Sequence, residues 1–333
     1  MYVSDTNTLR AIQSLVKDEL EDLEINLRRI LHSDVLLIRE VCENLKEVSG
    51  KHVRPTVLFL TARSVGNSEK HMVTAGLAIE LVHTATLIHD DVIDDHMIRR
   101  GKPTVHSVWG HNVATIMGDF LYSKAFAILG EAGLFEILTL LSKVTHIMSI
   151  GEMLQLQQRK NINVSEDGYL DIIQKKTASL FSAACECGAT LSENGNGHRD
   201  ICSGFGENVG LAFQITDDLF DYLAVDEAIG KPIASDFTDG KVTLPFITAF
   251  RNAPEKAKRR VLSLFRAGFE SKSDWNEVVL FVQDYGGIEY SLEKARVYGE
   301  RAKLFLERIA PSPERDALHL AADYVVNRVA PFS

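Results

Sequence analysis

Cysteine is scarce in this chain: four among 333 residues, at positions 42, 185, 187 and 202. None stands in a CxxC pair, and Cys185-x-Cys187 on a helix points its thiols to different faces. A zinc knuckle or redox pair is therefore not expected, and reduced thiols in a cytoplasmic protein are. Positive charge is in deficit as well. A formal net charge of −10 and a pI near 5.6 argue against a nucleic-acid surface. The first twenty residues mix charges throughout and offer no apolar h-region. No window approaches eighteen uninterrupted apolar residues, so no transmembrane segment is expected. Strand alternation persists nowhere, and no repeat or low-complexity linker marks a boundary. One all-α domain over residues 1–333 is the expectation.

Apolar residues at helical spacing predict helices over 8–32, 34–48, 56–64, 71–95, 112–130, 133–158 and 169–191. A further helix ends near Tyr222, and others cover 255–268, 274–285, 289–309 and 312–330. The Gly- and Asn-rich stretch 192–200 and the stretch 236–245 read as loops.

What ordinary folding does not ask for is His89-Asp90-Asp91-Val92-Ile93-Asp94-Asp95, which closes an apolar helix with four carboxylates in six positions. Asp90 and Asp94 share one face, as do Asp91 and Asp95. Like charges about 6 Å apart repel by roughly 3 kcal/mol at an effective dielectric near 20. Alone, the cluster fits a solvated acidic helix end as well as a site for a hard cation such as Mg²⁺. Its partner changes the balance. Asp217-Asp218-Leu219-Phe220-Asp221 repeats the Asp-Asp-x-x-Asp spacing after a second apolar run. Two facing clusters would hold divalent metals, and Mg²⁺ shares its remaining positions with substrate phosphates. The pair points to an enzyme that handles diphosphates.

Basic residues punctuate the same stretch. Gly50-Lys51-His52-Val53-Arg54-Pro55 precedes a helix start, where free N–H groups suit a diphosphate, although short basic turns are common. His83 falls on nearly the same face as Asp90, either as a contact to ligand or as a satisfied core residue. Arg99 and Arg100 follow the acids, either to grip phosphate in bidentate fashion or to pair with Asp94 and Asp95. Lys176, beside Thr177, sits in an apolar frame, where it snorkels outward or meets a buried anion.

Together these motifs resemble the trans-prenyl diphosphate synthase family, and among its members the long-chain all-trans polyprenyl diphosphate synthases. The resemblance runs over roughly 50–245 and rests on six motifs in order. They are Gly50-Lys51-x-x-Arg54-Pro55, Leu87-Ile88-His89-Asp90-Asp91-Val92-Ile93-Asp94, Arg99-Arg100-Gly101, Lys176-Thr177, Phe213-Gln214-Ile215-x-Asp217-Asp218-Leu219-Phe220-Asp221 and Gly240-Lys241-x-Thr243-Leu244-Pro245. His52 is a small departure, where the family often has another basic residue. The resemblance implies a single bundle of mostly antiparallel helices around a central cavity, of the isoprenoid synthase type, assembled as a homodimer. It implies Mg²⁺, as three ions that Mn²⁺ can replace, held by Asp90, Asp94 and Asp217, with Asp91, Asp218 and Asp221 as further or water-mediated ligands. Arg99, Lys176, Lys231 and Lys241 would grip an allylic diphosphate, and Lys51, Arg54, His83 and Arg100 isopentenyl diphosphate. Thr177 and Gln214 would stabilise an allylic cation by their dipoles, or serve as helix-packing polars.

Two rivals fit less well. A terpene cyclase shares the first acidic motif, but its second normally mixes Asn, Ser or Thr with Glu. A non-catalytic partner subunit usually lacks aspartates that are all present here. For product length, Ala85 and Thr86 lie one turn before Asp90, and both are small where short-chain enzymes carry bulky floors. A product longer than geranylgeranyl is expected, with farnesyl or geranylgeranyl the alternative, and with Met117, Phe120 and Phe126 as deeper candidates to block the tunnel.

Overall fold

The computed structural model describes residues 3–46, 50–66, 71–223, 239–267 and 272–329. Its helices are α1 (Val3–Gln13), α2 (Lys17–Ile30), α3 (Leu36–Lys46), α4 (Val53–Val65), α5 (Met72–Ile93), α6 (Val105–Trp109), α7 (His111–Glu131) and α8 (Phe135–Gln158). They continue as α9 (Glu166–Ile173), α10 (Ser179–Leu191), α11 (Arg199–Leu223), α12 (Leu244–Asn252), α13 (Glu255–Ala267), α14 (Lys272–Asp284), α15 (Gly287–Leu306) and α16 (Pro313–Asn327). The fold is all-α, a bundle of mostly antiparallel helices around a cavity.

α5 is the hub. It is apolar nearly all round, and a helix of that kind belongs in the middle of a large bundle. It packs on α7, α4, α2 and α10, burying Ala75, Ala78, Ile79, Val82 and Ala85 completely. Gly118 lets α7 lie close against it: a Cβ there would come within 2.2 Å of His89 Nε2. α11 forms the opposite wall, packed on α10 and α15. One connected cluster of buried apolar side chains runs from Leu9 to Val329.

The helices depart from the periodicity in ways that have local causes. The 8–32 stretch divides at a 3-10 turn, Ser14–Val16, which drives Val16 fully into the core. The 169–191 stretch is interrupted by a π-helical turn, Gln174–Ala178. α6 and α12 lie where no helix was expected. Thr104 caps α6 by accepting from the Ser107 N–H, and Pro245 falls in the first turn of α12, where its missing N–H costs nothing. A two-residue hairpin pairs Arg99 with Lys102. Its turn puts Arg100 at φ 51 and Gly101 at φ 76, the left-handed pair that a tight hairpin needs.

Counting uninterrupted apolar runs understates the membrane signal. α5, α7 and α8 are each long and apolar enough to cross a membrane by length and composition. Within the bundle, 61% of the α5 window is buried against other helices, so apolarity there is accounted for by packing.

Candidate active site

α5 and α11 both end on carboxylates. Asp90 and Asp91 lie in the last turn of α5, Asp94 caps it, and Asp217, Asp218 and Asp221 fill the last two turns of α11. A helix C-terminus already carries partial negative charge, so each cluster stands where anions are least welcome and cations most needed. Both line one cavity of about 1180 Å³.

Cations meet the acids from every side. Asp94 is paired with Arg159, at the end of α8, and with Lys241 at 2.7 Å. Lys241 also reaches Asp239 at 3.3 Å, and His96 Nε2 lies 3.1 Å from the same carboxylate. Lys176, carried by the π-turn, pairs with Glu152 of α8, donates to Gln155 Oε1 at 2.7 Å and lies 3.5 Å from Asp90. π-turns recur at functional positions because they swing a side chain out of helical register. Burial, and then Asp90 acting against the opposing Lys176, raises the Glu152 carboxyl above its ordinary range.

The motif aspartates divide by orientation. Asp90, Asp94, Asp217 and Asp218 face the cavity. Asp91 is buried and accepts from Arg99 Nε at 2.7 and 2.9 Å. Burial raises its pKa, against the lowering by Arg99. Asp218 is held by the Tyr169 hydroxyl at 2.6 Å and by Gln214 Nε2 at 2.7 Å. Asp221 is half-buried and is not among the residues facing the cavity. Arg328, just beyond α16, reaches Asp217 at 3.3 Å and lies 4.0 Å from the centre of the Phe213 ring.

A second basic group lines the same space. Arg54 is half-buried, 4.5 Å from the centre of the Phe181 ring, and desolvation pulls its pKa down to about 10. Its Nη1 donates to His83 Nε2 at 3.0 Å. Burial first, and then the charge of Arg54, holds the His83 pKa well below its ordinary value, so His83 is a neutral acceptor that aims the guanidinium. Lys51 donates to the Tyr324 hydroxyl at 3.2 Å. Arg100 reaches the same end, beside Gly50 and Glu80, and burial lowers its pKa. Lys231, expected on the allylic side, lies outside the described residues.

Thr86 faces the cavity, whereas Ala85 is fully buried and does not. On α7 the cavity-facing aromatic is Tyr122, 5.8 Å from the His89 ring, and Met117, Phe120 and Phe126 are not among the lining residues.

Glu152, Gln155, Arg159, His96, Asp239 and Arg328 also belong to this constellation and were not singled out in the sequence. Glu152 and Gln155 left a trace, as i,i+3 neighbours on one face of α8. His96 and Asp239 adjoin the first acidic motif and the Gly240-Lys241 motif, whereas Arg159 and Arg328 reach the site from separate segments that no local spacing marks.

Comparison with known proteins shows the family and the fold. The polyprenyl synthetase family model matches residues 35–282. The octaprenyl diphosphate synthase of Escherichia coli is 32% identical over 324 residues, 96% of this chain and 99% of that protein. The geranylgeranyl diphosphate synthase of Methanosarcina mazei is 36% identical over 289 residues, 85% of this chain and 87% of its own. A crystal structure of a Caulobacter crescentus polyprenyl synthase, complexed with calcium and isoprenyl diphosphate, superposes with a TM-score of 0.92. It is 32% identical and covers 96% of this chain and 98% of that one.

Proposed function

This chain belongs to the polyprenyl synthetase family and is a trans-prenyltransferase that makes prenyl diphosphates, and on that premise we propose how its residues divide the work. The observation that carries the reading is that one cavity receives four motif aspartates and two separate groups of cations. Asp90, Asp94 and Asp217, with Asp218 behind them, form an all-oxygen donor set that fits Mg²⁺. Their present partners, Lys176, Lys241, Arg159 and Arg328, are cations that diphosphate oxygens can recruit. When bound, Mg²⁺ supplies Lewis-acid neutralisation of the leaving diphosphate.

Lys176, Lys241 and Arg99 hold the allylic diphosphate, and Lys51, Arg54 and Arg100 the isopentenyl diphosphate, with His83 aiming Arg54. The allylic C–O bond breaks, the isopentenyl double bond attacks the resulting cation, and a proton leaves to the released diphosphate. Thr177 donates its hydroxyl hydrogen to Gln214 Oε1 at 2.7 Å, and Gln214 donates onward to Asp218. With those hydrogens engaged, the Thr177 and Gln214 oxygens keep free lone pairs, and their dipoles serve the cation.

Thr86, small and facing the cavity, supports a product longer than geranylgeranyl. Tyr122 favours the second reading, a shorter chain, because it sets an aromatic ring in the same wall. We place the enzyme in the cytoplasm as a homodimer, with 1–333 acting as one domain. The four cysteines, all buried free thiols, suit a reducing compartment.

The test is turnover of the purified chain with isopentenyl diphosphate and dimethylallyl, geranyl or farnesyl primers. Asp90→Asn, Asp94→Asn and Asp217→Asn should each lower kcat by about a hundredfold or more while circular dichroism is unchanged. Full activity in a chelator, or in all three variants, sinks the metal assignment.

A further inference from the structure

Behind the acidic end of α5, three side chains that take no part in the cavity converge. Asp95 Oδ1 lies 3.4 Å from His106 Nε2 and 3.5 Å from His111 Nε2. The three ligand atoms are all within 4.8 Å of one another. We propose that Asp95, His106 and His111 form a second metal site, for a transition-metal dication of the Zn²⁺ class, separate from the carboxylates that face the cavity.

The donor set is the first ground. Two imidazoles and one carboxylate suit Zn²⁺ and its neighbours, whereas Mg²⁺ prefers oxygen alone. Spacing is the second. Metal–ligand bonds of about 2.0–2.1 Å in a tetrahedron set ligand atoms about 3.4 Å apart, which is the separation on both edges that meet at Asp95. Such gaps are long for direct hydrogen bonds.

The third ground is independent of both. His106 is 5% exposed, and its Nε2 is buried with no hydrogen-bond partner. A buried nitrogen without a hydrogen bond is costly unless something binds it. Its other nitrogen, Nδ1, lies 3.2 Å from Thr104 Oγ1. That hydroxyl accepts from the Ser107 N–H and points its own hydrogen at the Met97 carbonyl. In the proposed site Nδ1 carries the imidazole hydrogen and donates it to Thr104. The Nε2 lone pair is left facing Asp95 and His111, the tautomer that an orienting partner sets for a metal ligand.

The ligands come from the end of α5, from α6 and from the first residue of α7. A metal there would clip together both ends of the segment that carries Arg99 and Arg100. It would also hold Asp95, which has φ 53 and directly follows Asp94. The fourth position is left to water.

Co²⁺ is the probe, because four-coordinate Co²⁺ absorbs strongly in the visible while six-coordinate Co²⁺ does so weakly. The full chain, in excess Mg²⁺ to fill the carboxylate pocket, should take up one equivalent with a four-coordinate spectrum, and Zn²⁺ should abolish the band by displacement. His111→Ala, at a side chain 59% exposed, should keep the fold, lose the band and weaken Zn²⁺ binding by at least about a hundredfold. His106→Ala, checked by circular dichroism, should do the same. Absence of stoichiometric uptake, a weak six-coordinate spectrum, or uptake that survives His111→Ala overturns the proposal. None of these readouts depends on turnover.

Discussion

Lys51, Arg54 and Lys241 look alike as single residues, and their surroundings separate them. Arg54 is stacked and half-buried with a neutral histidine behind it, so its charge is fixed before substrate arrives. Ground-state binding is what such a group supplies, and Lys51→Ala or Arg54→Ala should raise KM for isopentenyl diphosphate by roughly 10–100-fold, with a smaller change in kcat. Lys241 sits on Asp94 at 2.7 Å, so Lys241→Ala should act on the allylic substrate or on kcat. Steady-state kinetics with each substrate varied separately decides this, and the reverse pattern would undo the division. His52 makes a second prediction. Burial pulls its pKa down, but Glu80 and Glu24 outweigh burial and raise it from 6.5 to about 9. A proton held more tightly when folded stabilises fully below pH 6.5, and that stability fades as the pH rises through about 9. The native Tm should therefore fall by about 5 °C more than that of His52→Asn between those limits. Asn is chosen because His52 has φ 47, a conformation Asn tolerates. Parallel Tm curves would show that the two glutamates do not hold this proton.

At the scale of elements, α5 does two jobs: one face packs the bundle and the other lines the cavity. Ala85 belongs to the first face and Thr86 to the second, although both lie about one turn before Asp90. One isoprene unit is about as long as a helical turn, ~5.4 Å, so a bulky side chain at Thr86 should stop elongation within one or two additions. Thr86→Phe is expected to shift the product to a short chain while ionisation of the allylic substrate continues. Ala85→Phe would force a ring into a fully buried position and chiefly cost stability, typically 1–3 kcal/mol. Chromatography of the products checks the first, thermal denaturation the second. An unchanged product from Thr86→Phe would place the tunnel elsewhere.

For the whole molecule, α7 and α8 leave an apolar surface unused by the bundle. Ile116 is 67% exposed, Phe135 66% and Ile150 39%. Exposed apolar groups concentrated on two adjacent helices are costly in water and characteristic of an interface. If this is the dimer face, Ile116→Lys should raise the dimer dissociation constant at least about tenfold, read by sedimentation or light scattering. A native chain that stays monomeric at micromolar concentration rules the homodimer out.

The acidic and basic motifs were legible in the sequence because function there overrides folding preference: no helix end gathers four carboxylates for stability. The all-α class was legible too, since helical spacing of apolar residues is a local property. Helix continuity was less so. The turns at Ser14–Val16 and Gln174–Ala178 answer to packing against distant helices, and α12 was hidden behind a proline that reads as a break. Only the tertiary structure decided which aspartates face the cavity, because one residue of helical rotation, about 100°, separates Asp90 from Asp91. It alone brought Arg159 and Arg328 to the acids, since side chains that meet across a bundle leave no mark in the spacing of their own segments.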